Sequence, residues 1–156
     1  MVSAEGYGAP VERGARALDM PDRVWRAIRA HGEKGYPLEI CGALLGKAGA
    51  NARRVEEIFP IENARDANKE TRYVITPENI MAAEKECRRL NLDLLGFYHS
   101  HPDHPAKPSE YDREHAWPWY SYVIVSVING KAGEVTSWQL KDDRAAFLTE
   151  SLEVVS

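Results

Sequence analysis

Leu94-Leu95-Gly96-Phe97-Tyr98-His99-Ser100-His101-Pro102-Asp103-His104 is the stretch on which the reading of this chain turns. Residues 94–98 form an apolar run of the length expected for a buried strand. The residues after them hold three of the chain's five histidines. Side chains two apart on a strand project from the same face, so His99 and His101 aim both imidazoles at one point if the strand runs on through them. That arrangement suits a metal. Zinc accepts imidazole nitrogen at roughly 2.0–2.1 Å, and a catalytic zinc site keeps three protein ligands and one open position. A third donor is therefore expected nearby. Asp112 is the best placed, in the first turn of a short helix read at residues 109–116, beyond a proline-rich loop able to fold back on the strand.

Outward from this stretch, strands and helices interleave, which predicts an α/β domain. Toward the N-terminus, Val24, Trp25, Ile28 and His31 recur at helical spacing from about Met20, with Pro21 at the first helical position and Gly32 and Gly35 as the end. Residues 40–45 and 55–61 read as two strands of a hairpin. Residues 63–70 read as an exposed polar loop and residues 72–75 as a brief strand. Thr76-Pro77-Glu78 opens a second helix that buries Ile80, Ala83, Cys87 and Leu90 and stops at Asn91. Toward the C-terminus, residues 122–128 and 135–140 are further strands, with Asn129-Gly130 as a turn. Residues 144–155 read as a helix, alone or followed by a strand. Residues 1–16, with Gly6, Gly8, Pro10 and Gly14 and no hydrophobic period, read as a flexible tail, leaving one domain over residues 17–156.

Bulk properties narrow the function classes. Of 156 residues, 44% are hydrophobic and 28% charged, the balance of a globular protein. The net charge of -4, with Lys and Arg dispersed, provides no basic stripe for a phosphate backbone, so nucleic acid is not an expected partner. No apolar run approaches the roughly 20 residues that cross a bilayer, and the N-terminus lacks a secretory core, so the expectation is a cytoplasmic protein that does not enter membranes. Cys41 and Cys87, without paired spacing, argue against a disulfide framework or a cysteine-ligated metal.

Hydrolysis at a metal also needs a base that is not a ligand. Glu39 is the choice, standing just before the apolar run that starts at Ile40. Taken in order, Glu39 with Cys41-Gly42 and Leu44-Leu45-Gly46, then His99-Ser100-His101-Pro102, then Ser109 and Asp112, resemble the JAMM metalloproteases, also called MPN-plus domains. The resemblance runs from about Ala17 to Glu150. It implies a fold like that of cytidine deaminases, with a central mixed β-sheet flanked by helices. It also implies one zinc ion per chain on His99, His101 and Asp112, Glu39 as general base and Ser109 as oxyanion stabiliser. Deaminase chemistry is disfavoured, since the His-x-Glu and Pro-Cys-x-x-Cys patterns are absent. The implied activity is hydrolysis of an amide or isopeptide bond at the C-terminus of a ubiquitin-like protein. For a small stand-alone chain the resemblance points to sulfur-carrier proteins, including release of cysteine from a carrier's tail.

Each residue also has a plainer reading. Ser109 and Asp112 make a good helix cap, Glu39 alone would be a surface acid, and Cys41 a small core residue. His104 is expected at a solvent-exposed or substrate rim, His31 and His115 in surface or packing roles, and Trp117, Trp119 and Tyr120 in the core, with lining of a substrate groove as the alternative. The joint order of Glu39, His99, His101, Ser109 and Asp112 favours the metal reading. Competing functions are a non-catalytic scaffold of the same fold and a small-molecule zinc amidohydrolase. An extended Gly-Gly tail is expected to dock beside a sheet edge.

Overall fold

Alternation of buried side chains along one central strand organises the molecule. The computed structural model describes residues 17–62 and 73–156. Eight strands are described: β1 (Ala17–Pro21), β2 (Cys41–Ala48), β3 (Ala52–Ile61), β4 (Asp93–Pro102), β5 (Ser121–Ile128), β6 (Lys131–Leu140), β7 (Phe147–Glu150) and β8 (Leu152–Val155). They form one sheet in the order β7-β6-β5-β4-β2-β3-β1-β8. β4 and β5 run parallel, as do β1 with β3 and β1 with β8, and the other pairs are antiparallel. The expected central mixed sheet with flanking helices is the observed fold.

Three helices, α1 (Asp22–Gly35), α2 (Pro77–Leu90) and α3 (Glu110–His115), complete the described chain. α1 buries Val24, Ile28 and Gly32, a stripe at spacing four that lies on one face of the sheet. Tyr98, Leu44, Val123, Val125 and Val127 form the sheet side of that core. α2 packs on the opposite face through Ala83 and Cys87, against Phe97, Cys41, Ala43 and Tyr122. Its start is a reciprocal cap: the Asn79 N–H donates to Thr76 Oγ1 at 3.1 Å, and the Thr76 N–H donates to Asn79 Oδ1 at 2.9 Å. Asn91, at φ 59°, closes the helix in the left-handed conformation that Asn tolerates.

β4 must approach β5 closely, and Gly96 permits it, since a Cβ there would lie 1.9 Å from the Ser121 carbonyl oxygen. The strand is longer than its apolar run, and its hydrogen bonding to β5 continues through His99, Ser100, His101 and Pro102.

Several expectations are corrected. Helix α1 begins at Asp22, not Met20, because residues 17–21 form β1 between β3 and β8. Of the brief strand read at residues 72–75, residue 72 lies outside the described residues, and Tyr73, Val74 and Ile75 belong to no strand. The C-terminal stretch holds the two short strands β7 and β8 and no helix. Trp117 and Trp119 are 59% and 49% exposed, not core, while Tyr120 is half-buried against Phe97. The tail read at residues 1–16 and the loop at residues 63–70 lie outside the described residues. No helix among the described residues is long and apolar enough to cross a membrane.

Candidate metal centre

Phe97, His99 and His101 alternate along the face of β4 that looks away from α1, as a strand's period of two requires. Asp112 reaches the same point from α3. His99 Nε2 lies 3.2 Å from His101 Nε2 and 3.2 Å from Asp112 Oδ1, and His101 Nε2 lies 3.2 Å from Asp112 Oδ2. All three residues are buried, and their candidate ligand atoms lie within 4.8 Å of one another.

The loop between β4 and α3 is pinned at several points. The Asp103 N–H donates to the Val127 carbonyl at 2.7 Å, the Ser126 hydroxyl to the His104 carbonyl at 2.6 Å, and the Thr136 hydroxyl to the Ala106 carbonyl at 2.7 Å. Asp103 is itself held by the Tyr36 hydroxyl at 2.6 Å and the Asn129 N–H at 2.8 Å. At the start of α3 the Asp112 N–H donates to Ser109 Oγ at 3.1 Å, and the Ser109 N–H donates to Asp112 Oδ2 at 2.8 Å. The plain cap reading of Ser109 is therefore observed, and the same cap fixes the Asp112 carboxylate in the cluster. A hydroxyl that accepts through a lone pair still has its O–H to donate.

The donor set fits a divalent metal. His101 Nδ1 is 2.8 Å from the Pro105 carbonyl oxygen, an acceptor, so Nδ1 carries the proton and Nε2 presents a lone pair. That lone pair faces an acceptor, Asp112 Oδ2, at hydrogen-bond distance. Lone pairs opposed in this way need a proton or a cation between them. His99 Nδ1 is buried without a hydrogen-bond partner among the described residues, and its ring lies under Tyr73, with centroids 4.3 Å apart.

Electrostatics favour an anionic Asp112 and a neutral His99, and draw a proton or a cation to the His101 imidazole. Burial acts to raise the Asp112 carboxyl, but the His99 and His101 imidazoles and the Ser109 N–H hold it well below the usual carboxylate range. Burial lowers the His99 imidazole and keeps it neutral despite the opposing pull of Asp112. His101, which burial would lower, is raised by its hydrogen bonds to Asp112 and the Pro105 carbonyl, with the Asp112 and Glu39 charges adding.

Glu39 is buried and enters the site by strand register. Cys41 pairs with His99, and just before β2 the Ser100 N–H donates to the Ile40 carbonyl at 3.0 Å, which carries the preceding Glu39 toward the His101 end of β4. Its charge acts on His101, Cys41 and Tyr73. Cys41 is fully buried and its thiol is pushed up to about 12 by burial and by Glu39, which disfavours a thiolate nucleophile. His104 is exposed and outside the cluster. His31 hydrogen-bonds the Tyr98 hydroxyl at 2.8 Å on the far face, and His115 stacks on Tyr111. β4 is flanked by β2 and β5, and the sheet ends at β7 and β8.

Sequence reasoning missed two contributors, the Tyr73 ring on His99 and the Pro105 carbonyl on His101. Tyr73 sits in the brief stretch read as a strand, too short for its pattern to show which side chain reaches the histidines. A carbonyl acceptor in the Pro-rich loop is inferable only once the loop is seen to return to the strand.

Residues 21–141 match the family model described as prokaryotic homologs of the JAB domain. The chain is 32% identical over 138 residues to a desampylase of Haloferax volcanii, covering 88% of this chain and 94% of that protein. It is 33% identical to a probable TtuB-protein conjugate cleaving protease of Thermus thermophilus, covering 75% of each. The solution structure of a Desulfitobacterium hafniense protein superposes with a TM-score of 0.78 at 28% identity, covering 89% of this chain and 93% of that one.

Proposed function

This chain belongs to the prokaryotic homologs of the JAB domain, and from that membership we propose that it is a zinc metallopeptidase that cleaves conjugates of a ubiquitin-like protein. The observation that carries the reading is the convergence of His99, His101 and Asp112 on one point of the sheet face away from α1. The two similar proteins named for cleavage, a desampylase and a TtuB-conjugate protease, supply the substrate class. The narrower reading is a ubiquitin-like sulfur carrier as substrate and one zinc ion per chain.

Zinc held by the three side chains would supply Lewis acidity at the scissile carbonyl and a nucleophile at neutral pH. The protein's own groups do the rest. Glu39, toward the His101 end of β4, accepts a proton from the attacking water and returns it to the leaving amine. Ser109 accepts from the Asp112 N–H and has its O–H to donate toward the carbonyl oxygen as that oxygen gains charge. Pro105 keeps the His101 proton on Nδ1, and Tyr73 covers the His99 ring.

The test is Glu39→Gln, assayed for bound zinc and for cleavage of a ubiquitin-like conjugate. Zinc should stay at the native level while kcat falls by about 10²–10⁴. Native turnover in the variant would remove Glu39 from the mechanism, and loss of zinc would make it a ligand.

A further inference from the structure

A pocket of about 310 Å³ lies beside the cluster on the same face of the sheet. Phe97 and Tyr122 form its floor, Tyr73 and Tyr111 part of its wall, and Trp117 and Arg144 part of its mouth. Tyr73 and Tyr111 meet edge to face, with centroids 6.2 Å apart, and Tyr73 is also the ring stacked on His99. One aromatic wall thus divides the pocket from the metal donors. A space of this size, walled by aromatic rings together with Val74, Ile75, Ile80 and Ala116, suits a small apolar group.

Arg144 supplies the cationic element, on a lining that also includes Glu114 and His115. It stands at φ 63° in the turn between β6 and β7, where its N–H donates to the Lys141 carbonyl and its own carbonyl accepts from Arg113 Nη1 at 2.9 Å. The Arg113 guanidinium is paired with Glu110 and also feels the Glu114 carboxylate. The contacts of the Arg144 guanidinium among the described residues are the Glu114 carbonyl oxygen at 3.5 Å and the Trp117 ring, 5.5 Å from its centroid. Its charge bears on the Tyr122 hydroxyl at the pocket floor. A guanidinium has five N–H donors in a planar fork matched to a carboxylate, and this one spends few of them.

We propose that this pocket is a second binding site, for an apolar side chain with a carboxylate beside it, carried by the conjugate that is cut at the neighbouring cluster. The identity of the carrier rests on the peptidase reading above, whereas the pocket's chemistry does not. Phe97 lies two residues before His99, roughly 7 Å along the strand, which an extended peptide spans in about two residues. A residue close to the scissile bond is therefore within reach of the pocket.

The test begins with binding alone. Metal-free protein is titrated with 3-phenylpropionate and with its amide, followed by NMR shifts of Phe97, Trp117 and Tyr122. The acid should bind about tenfold tighter than the amide and shift all three residues. Arg144→Gln should bring the ratio of acid to amide affinity close to one, and Arg144→Lys, which keeps the charge, should restore part of it. Absent shifts, equal affinities in the native protein, or a preference that survives Arg144→Gln would each overturn the site.

The second arm uses the zinc-loaded enzyme and conjugate peptides with Phe-Asp or Gly-Ser within three residues of the cut. Phe-Asp peptides should show a KM about tenfold lower, and Arg144→Gln should remove that advantage. Binding of the probe without any preference among peptides would overturn the conjugate as occupant. Absence of turnover on every peptide would overturn the peptidase reading and, with it, the conjugate as occupant, while the binding arm judges the pocket itself.

Discussion

The two faces of the sheet are built from the same strand and put it to opposite uses. On the α1 side, Tyr98 of β4 is sealed under the helix, its hydroxyl tied to His31 and its ring pressed on Gly42, where a Cβ would come within 2.4 Å. On the other side, Phe97 joins the α2 core, while His99 and His101 pass beyond that helix to meet Asp112. Alternation with a period of two lets neighbouring residues serve packing and chemistry independently. The difference teaches that a strand end uncovered by its helix is where this fold can place polar donors at low cost to the core.

Breaking the histidine face should have the largest effect. His101→Ala should lose the metal and reduce kcat/KM by about a thousandfold or more, read by metal analysis and a cleavage assay, while the melting of metal-free protein changes little. Native zinc content in that variant would dismiss His101 as a ligand. Ser109→Ala is next. It should lower kcat by about a hundredfold if the hydroxyl serves the oxyanion and cost about 1 kcal/mol of stability as a lost cap, measured by urea unfolding. Ser109→Thr should recover both. A stability loss with unchanged kcat would leave Ser109 as a cap only.

Perturbing the sealed face should give the converse. Gly42→Ala should destabilise the protein by about 1–3 kcal/mol, because the Tyr98 ring is fixed by His31 and cannot swing aside. Zinc bound per folded chain should stay native, so a loss of metal with intact stability would show that the faces are not independent. The smallest effect concerns pH. Burial, with Lys34 adding, holds the His31 pKa below its ordinary 6.5, so the unfolded chain takes up the proton first. The stability tied to neutral His31 is full above 6.5 and is lost as pH falls through the lowered value in the folded state. His31→Gln should flatten that part of the acid dependence in urea unfolding followed from pH 7 to 5.

Much of the histidine face was legible in the sequence because its donors follow strict local rules. His99 and His101 obey the strand period, Ser109 and Asp112 the helix cap, and the hairpin of β2 and β3 its turn. Glu39 is read from its place before the apolar run and from family order, since His101 lies about sixty residues on and no local pattern joins the two. The short strands β1, β7 and β8 were missed or misread. Four or five residues carry little periodicity, and β1 forms by pairing with β3 and β8, both distant in sequence. Trp117 and Trp119 misled because large aromatics are usually core. Here Trp119, at φ 89°, lies over the buried Arg53 guanidinium, 4.2 Å from its ring centroid, and leaves half its surface to solvent.

The central claim is that His99, His101 and Asp112 hold the zinc of a conjugate-cleaving peptidase. The most direct measurement strips the protein with a chelator, returns zinc in steps, and follows both bound metal and cleavage of a ubiquitin-like conjugate. The account predicts no cleavage in the stripped protein and full recovery at one zinc ion per chain. Cleavage that persists without metal, or one bound zinc ion per chain with the conjugate left intact, would contradict it.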